Sequence, residues 1–317
     1  FKKPVLIILH GADCASFKEI NYGSIRKPIL KFVLKKSYAL ATHLLPVSQS
    51  LIYTENRYYS KNKNIKQGYK HFFNKNRTKN TVIHNAIDSK KWNISTNTNR
   101  NKNRFITVLS EGQFVRKGGE LIVDVARKLP QFEFYFIGIL KPKSLSEISE
   151  NITFIPKTSP ENLLKIYNEA KFYLQLSIFE GFGVALCEAM SSGCIPIVSN
   201  ANILPYIIGK TGYVVDQIDA DILEKKLIQI HNEYNVKMEN YSSNQEFEEA
   251  SMVRDKISMI RSLTKSKNII NNQKDLDIIT CSNIDDIHCI DVFLVRDGVN
   301  LGNKTFEFKN SEDSSET

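Results

Sequence analysis

The hydrophobic positions of this chain follow two alternating rhythms. Short runs rich in Val, Ile, Leu and Phe at 4–10, 43–48, 81–84, 105–110, 133–138, 152–155, 172–178, 195–199 and 212–215 predict β-strands. Between most of them apolar residues recur at helical spacing, which predicts helices over about 28–41, 117–129, 160–170, 183–192 and 219–234. Strands that are apolar nearly throughout, alternating with helices, belong to parallel sheets covered on both faces. Ligands of such sheets bind outside the carboxyl ends of the strands, so chemistry is sought at strand-to-helix turns.

Two interruptions divide the pattern. Residues 89–104 are polar and aperiodic, which predicts a linker between an N-terminal unit (1–88) and a second α/β unit (105–235). A further break is expected near 233–245. Beyond it, Phe247, Ala250, Val253, Ile257 and Ile260 form one helical stripe, and β-like alternation begins near 275. Asp297-Gly298 lies between apolar runs at 290–295 and 299–308, a hairpin signal. Residues 236–309 thus read as a helix and β-hairpin appendage, and 310–317 as a polar tail with nothing to bury, expected to be disordered.

Composition narrows the class. With 317 residues, 42% hydrophobic and 24% charged, the chain is globular and large enough for two cores. No apolar run is long enough to span a bilayer and no signal peptide opens the chain. The first residue is Phe1, and Pro4 to Leu9 already reads as a strand, so the natural start is expected upstream. Cys14, Cys187, Cys194, Cys281 and Cys289 form no CxxC pair and no zinc spacing; they read as buried, reduced thiols of a cytoplasmic protein.

Charge is unevenly placed. The net +9 hides 20 Lys and Arg against four acids in residues 1–103, a net of +16, and −7 in the rest. Different partners for the two parts, or a bias toward Lys, Asn and Ile codons, account for it equally well. In the helix near 28–41, Lys27, Lys31 and Lys35 recur at i, i+4 spacing, with Ile29, Phe32 and Val33 elsewhere on its surface. Such a helix suits an anionic membrane surface and a lipid-linked acceptor; a helix packed on a sheet with a solvated lysine face is the plainer reading. Residues 57–79 interleave eight basic residues with Tyr58, Tyr59, Tyr69, Phe72 and Phe73. That mixture can bind single-stranded nucleic acid, but no nucleic-acid fold accompanies it, and a surface insertion is preferred.

The most informative stretch runs from Phe179 to Met190 after the strand at 172–178. Gly181 and Gly183 at a strand-to-helix turn let the backbone approach a ligand, and the free amides of the first helical turn favour an anion, a phosphate above all. Glu180 precedes the turn and Glu188 follows it, both suited to accept hydrogen bonds from hydroxyls on either side of an anionic centre. A nucleotide sugar has that layout. Asp219-Ala220-Asp221 spells a DxD metal motif but stands at a helix start, where capping is the better reading.

Glu180-x7-Glu188 followed by Ala-Met-Ser-Ser-Gly-Cys-Ile-Pro-Ile-Val resembles the retaining GT-B glycosyltransferases of family 4 type, also called group 1. The resemblance covers about residues 3–232. It implies an α/β fold of two Rossmann-like domains, the first incomplete here, and a UDP- or GDP-sugar donor without an obligate metal or other cofactor. In that family the first Glu contacts the transferred sugar, the Gly-Phe-Gly turn holds the distal phosphate and the second Glu holds the ribose. Those roles fall on Glu180, on Gly181, Phe182, Gly183 and Val184, and on Glu188. The turn from Val108 to Gly118 resembles the family's diphosphate turn, whose Lys points to Lys117. The usual upstream Arg is replaced by Gly112 and Gln113, so Arg116 compensates only if it turns inward. His10-Gly11-Ala12-Asp13 resembles the family's His-Gly-x-Asp, which places His10 near the sugar. The first lobe is short of strands, so the activity of the chain as it stands is an open expectation.

Residues about 238–309 resemble a segment of the UvrC component of the UvrABC excinuclease, its UvrB-binding helical motif and the strands that follow. That resemblance implies contact with the excinuclease component UvrB through 238–265. It offers an alternative to sugar transfer: a non-catalytic fusion whose tail is a protein-binding module of nucleotide excision repair.

Overall fold

The computed structural model describes residues 4–60, 64–95, 99–244, 275–284, 287–296 and 299–309, and from residue 235 onward gives backbone elements and strand pairing. The helical stripe from Phe247 to Ile260, the Asp297-Gly298 turn and the tail at 310–317 lie outside the described residues.

The first lobe comprises β1 (Leu6–Leu9), α1 (Pro28–Leu40), β2 (His43–Pro46), β3 (Thr54–Asn56), β4 (Ile65–Gln67), α2 (Tyr69–Phe72) and β5 (Lys79–Asn80). β1, β2 and β5 form a parallel sheet in that order, with Leu6 opposite His43 and Leu44 opposite Asn80. The strand expected at 81–84 begins earlier. Its backbone still bonds to β2, Thr81 N donating to Leu44 O at 3.0 Å and Ile83 N to Pro46 O at 3.0 Å. The basic, aromatic segment 57–79 is not a surface insertion. Tyr58, Tyr69 and Phe73 are buried, and β3 and β4 pair antiparallel within and beside it. Burying three rings outweighs the nearby charges, with Lys66, Lys70 and Lys75 left exposed to water.

In α1 the structure also departs from the plainer reading. Tyr38 is its buried side chain, while Ile29, Phe32 and Leu40 are 78%, 63% and 81% exposed. The face that would cover a sheet is thus largely outward.

The second lobe is a six-stranded parallel sheet built from β6 (Asn101–Val108), α3 (Gly119–Lys128), β7 (Glu133–Ile137), β8 (Ile152–Ile155), α4 (Pro160–Glu169), β9 (Ala170–Gln175), α5 (Val184–Ser191), β10 (Ile195–Ser199), α6 (Leu204–Ile208), β11 (Tyr213–Val215) and α7 (Ala220–Asn244). Its strand order is β11-β10-β9-β6-β7-β8. Phe105 sits at the centre, stacked on Phe172 at 4.7 Å and on Phe134 at 5.5 Å. β6 starts four residues inside the expected linker. Its polar residues find partners that periodicity cannot show: Arg104 bonds Glu133 at 2.8 Å and Asn103 meets His231 at 2.8 Å. Arg100 anchors the linker's end by donating to Tyr167 O and Ala170 O, both at 2.9 Å. α7 runs through most of the expected break at 233–245. Among the described residues no helix is long and apolar enough to cross a membrane.

β12 (Asp275–Ile284), β13 (Ile287–Arg296) and β14 (Val299–Lys309) form a separate antiparallel sheet. The expected hairpin is its β13–β14 half, with Arg296 opposite Val299.

The two lobes share side chains. Ile178 and Phe179 of the second lobe belong to the first lobe's apolar cluster, and Tyr58 of the first belongs to the second's. Asn56 Nδ2 donates to Ile178 O and Ile218 N to Tyr58 O at 3.1 Å, which fixes the seam beside the strand ends.

Candidate functional site

The strand order turns at one place. From β6 the chain moves outward to β7 and β8, then returns to β9 on the other side of β6. Between two such strands the following loops part, leaving a crevice at their carboxyl ends. The loop after β6 carries Gln113, Arg116 and Lys117; the loop after β9 carries Ser177, Glu180, Gly181, Phe182 and Gly183. Residues from separate stretches of sequence therefore flank one crevice.

Gly183, at φ 99°, is the N-cap of α5, a left-handed position that a side chain would strain. No side chain caps α5 and its first turn holds no acid. The contrast with its neighbours is chemical. Ser159 Oγ accepts from Asn162 N at 3.3 Å at the head of α4, and Asp219 accepts from the amides of Asp221 and Ile222 at 3.0 and 3.1 Å at the head of α7. The DxD aspartate is thus a cap, whereas the head of α5 keeps its partial positive charge unopposed by a capping side chain.

Glu180 is held from three sides. Arg116 Nη1 at 3.4 Å, Gln175 Nε2 at 2.9 Å and Ser177 Oγ at 3.2 Å all donate to its Oε2. Burial alone would raise its pKa. The charges of Lys117 and Arg116, with hydrogen bonds from Ser177 and Arg116, outweigh that and hold the carboxyl below its ordinary value. Arg116 has turned inward, buried, donating to Phe179 O at 2.7 Å and lying 4.9 Å over the Tyr22 ring. Its charge is thus committed to Glu180 and the lobe seam. Lys117 Nζ donates to Val108 O at 3.2 Å, at the carboxyl end of β6; burial draws its pKa down and Glu180 opposes the shift. Gln113 is folded back, its Oε1 accepting from Ser110 N at 3.4 Å.

Glu188 lies half-buried on α5, with Tyr167 OH donating at 3.4 Å; burial pushes its pKa up. His10, exposed at the end of β1, reaches the site through its backbone. A Cβ on Gly181 would fall 1.8 Å from His10 O, so only glycine fits there. Asp13 fixes that turn by accepting from Gly11 N at 2.7 Å and His10 N at 3.3 Å. Phe182 lies 5.4 Å from the His84 ring, and Val184 is exposed.

Residues 90–247 match the model of the family described as glycosyl transferases group 1. They form a group 1 glycosyltransferase domain.

Solved structures agree on the fold. HepE of Anabaena, solved in complex with UDP-glucose, superposes with a TM-score of 0.56 at 13% identity, over 84% of this chain and 72% of that one. With the parallel sheets, this gives the chain a GT-B fold. O-antigen chain mannosyltransferase B of Escherichia coli is 33% identical over 78 residues, 25% of this chain and 20% of that protein. UvrABC system protein C of Nitrosococcus oceani is 37% identical over 78 residues, 25% of this chain and 13% of that protein. The chain thus aligns with a fifth or less of the length of these two curated relatives.

Around the crevice of the group 1 domain, sequence reasoning missed Gln175, Ser177 and Asn202. Gln175 and Ser177 sit in an apolar strand run where period-two reading expects core. Asn202 follows β10, and its position just beyond a parallel strand's carboxyl end was the signal available. Among the described residues no three His, Cys, Asp or Glu side chains converge as a metal site.

Proposed function

We propose that this chain binds a nucleotide sugar, with UDP or GDP as the nucleotide, in the β6–β9 crevice and transfers its hexose to an acceptor with retained anomeric configuration. The observation that carries this reading is the uncapped, acid-free head of α5 beside Lys117 at the switch point. There the diphosphate would meet the amides of Gly183 and Val184 and the Lys117 ammonium, which also stabilise it as it departs. Glu180, its Oε2 saturated, keeps Oε1 for a hydroxyl of the transferred sugar, and Glu188 takes the ribose hydroxyls. Gly181 and Phe182 shape the turn, Gln113 lines it, and His10 approaches the sugar from the first lobe. Among the described residues no side chain is an evident nucleophile on the required face, which favours front-side displacement. The chemistry needs no metal or other cofactor.

Calorimetry with UDP and GDP tests this on wild type and Glu188→Ala. Saturable binding of one nucleotide, weakened by the substitution, is expected; a folded wild type that binds neither overturns the reading.

The exposed apolar residues of α1, with Lys27, Lys31, Lys35 and Lys36 and no acid in the helix, favour a lipid-linked acceptor met at an anionic membrane. The partial match to UvrABC system protein C favours a second reading, in which the C-terminal part binds the excinuclease component UvrB. A pull-down with purified UvrB should then retain the full chain and lose a version ending at residue 237; equal retention of both excludes it.

A further inference from the structure

Asn202 has the least comfortable backbone around the crevice. Its φ is 55°, the left-handed region that costs a non-glycine residue strain and suits Asn better than most. It follows β10, at the same edge of the sheet as the loops after β6 and β9. Its side chain turns toward Glu180, whose backbone N–H donates to Asn202 Oδ1 at 3.2 Å. That bond fixes the amide's orientation, because only the oxygen can accept. The other end of the same amide, Nδ2, is buried and has no hydrogen-bond partner.

A buried amide nitrogen without a partner is costly, and here it comes with a strained backbone. The bond to Glu180 N explains the amide's oxygen, which Gly would lack, but it gives the nitrogen no role. A ligand does. Through its Oδ1 the same amide is fixed to the backbone of Glu180, whose Oε2 already accepts from Arg116, Gln175 and Ser177. A second anion beside Glu180 is less favourable there than a neutral acceptor. The complementary group is an alcohol: it accepts from Nδ2 through its oxygen and donates to a carboxylate, itself or through its neighbour. Two adjacent hydroxyls of a sugar ring match the acceptor Glu180 Oε1 and the donor Asn202 Nδ2 as a pair.

We infer that Asn202 is a sugar-recognition residue of this site, its Nδ2 donating to a ring hydroxyl of the hexose that Glu180 also holds. The inference rests on the nucleotide-sugar reading and adds to it a residue that grips the sugar and leaves the nucleotide alone.

Calorimetry on the full chain separates the two. Wild type, Asn202→Gly and Asn202→Asp are titrated with UDP, UDP-glucose, GDP and GDP-mannose, with thermal midpoints recorded alongside. Wild type is expected to bind one sugar nucleotide more tightly than its bare nucleotide. Asn202→Gly, which trades backbone strain against the lost bond to Glu180 N, keeps the nucleotide affinity and loses about three- to tenfold of the sugar's increment. Asn202→Asp keeps an oxygen for the Glu180 amide and loses the N–H donor, so its increment falls as well. Deoxy analogues of the bound donor then supply a cycle: for one missing hydroxyl, the penalty seen in wild type disappears in Asn202→Gly. A sugar increment unchanged in either variant, a wild type that gains nothing from the sugar, or no deoxy analogue coupled to residue 202 overturns the role of Asn202 while leaving the nucleotide site standing. Wild type binding none of the four ligands overturns the nucleotide-sugar reading itself, and this inference with it.

Discussion

The two lobes are built from similar strands and helices, yet they satisfy their apolar surface in different ways. The second lobe closes on itself: Phe105 is fully buried between Phe134 and Phe172, and helices cover a sheet of six strands. The first has a parallel sheet of three strands, an α1 whose apolar side chains largely face outward, and a core cluster completed by Ile178 and Phe179 from its neighbour. The apolar cluster of the first lobe is thus shared across the seam. Lys117 and the uncapped head of α5 belong to the second lobe, while His10 and His84 belong to the first.

The sharpest way to break this comparison is through the shared aromatics. Phe105→Ala should destabilise the protein by about 3–5 kcal/mol, read from denaturant midpoints. Phe179→Ala should instead speed amide exchange in residues 4–95 while residues 101–234 stay protected. Equal acceleration of both lobes would show that the first is no more dependent than the second.

Next in size is the division of charge. Lys117→Ala removes a charge-assisted contact and should weaken UDP or GDP binding roughly 10- to 100-fold, about 1.5–3 kcal/mol. Lys35→Ala, in the far more basic first lobe, should leave that affinity unchanged. Similar losses in both would mean that overall field, not placement, draws the nucleotide.

The two carboxylates sharpen the picture through pH. Glu180 is held below its ordinary value by Lys117 and Arg116 against burial, so it stays ionised as the solution is acidified. Glu188 is raised by burial and takes up its proton first. Folded-state protonation of Glu188 adds stability as pH falls through its raised pKa, and it simultaneously removes an acceptor for ribose hydroxyls. Nucleotide affinity should therefore drop just above the ordinary glutamate range, and Glu188→Gln should flatten the profile. A profile that keeps its shape in that variant assigns the titration elsewhere.

Smaller effects separate helix heads and surfaces. Asp219→Ala strips the cap from α7 and should cost about 1 kcal/mol by thermal unfolding, without touching nucleotide affinity. Phe32→Ser on α1 should change stability by less than about 0.5 kcal/mol, since the ring is already in water. It should nevertheless reduce sedimentation with phosphatidylglycerol-containing vesicles. Unchanged sedimentation would detach α1 from the membrane.

Much of the site was legible because its parts are local. A strand, two glycines, an acid on each side and a helix are contiguous from Lys171 to Ser191, and backbone geometry follows directly from that order. The Lys117 turn was readable for the same reason. The Arg116 side chain was not, because its direction depends on Tyr22, a residue of the other lobe. Gln175 and Ser177 were hidden in a strand whose apolar run looked like core, and the buried rings of 57–79 were hidden among lysines.

Sequence by itself determined the parallel α/β class and the bare glycine turn before α5, since periodicity and turn chemistry act over neighbouring residues. Tertiary structure decided which strand ends meet at the β6–β9 crevice, that Arg116 serves Glu180, and that Asn202 holds the Glu180 backbone with an amide whose nitrogen has no partner. Those arrangements join residues as much as 94 positions apart, from Tyr22 to Arg116, and only the packing of sheet and seam brings such groups within reach of one another.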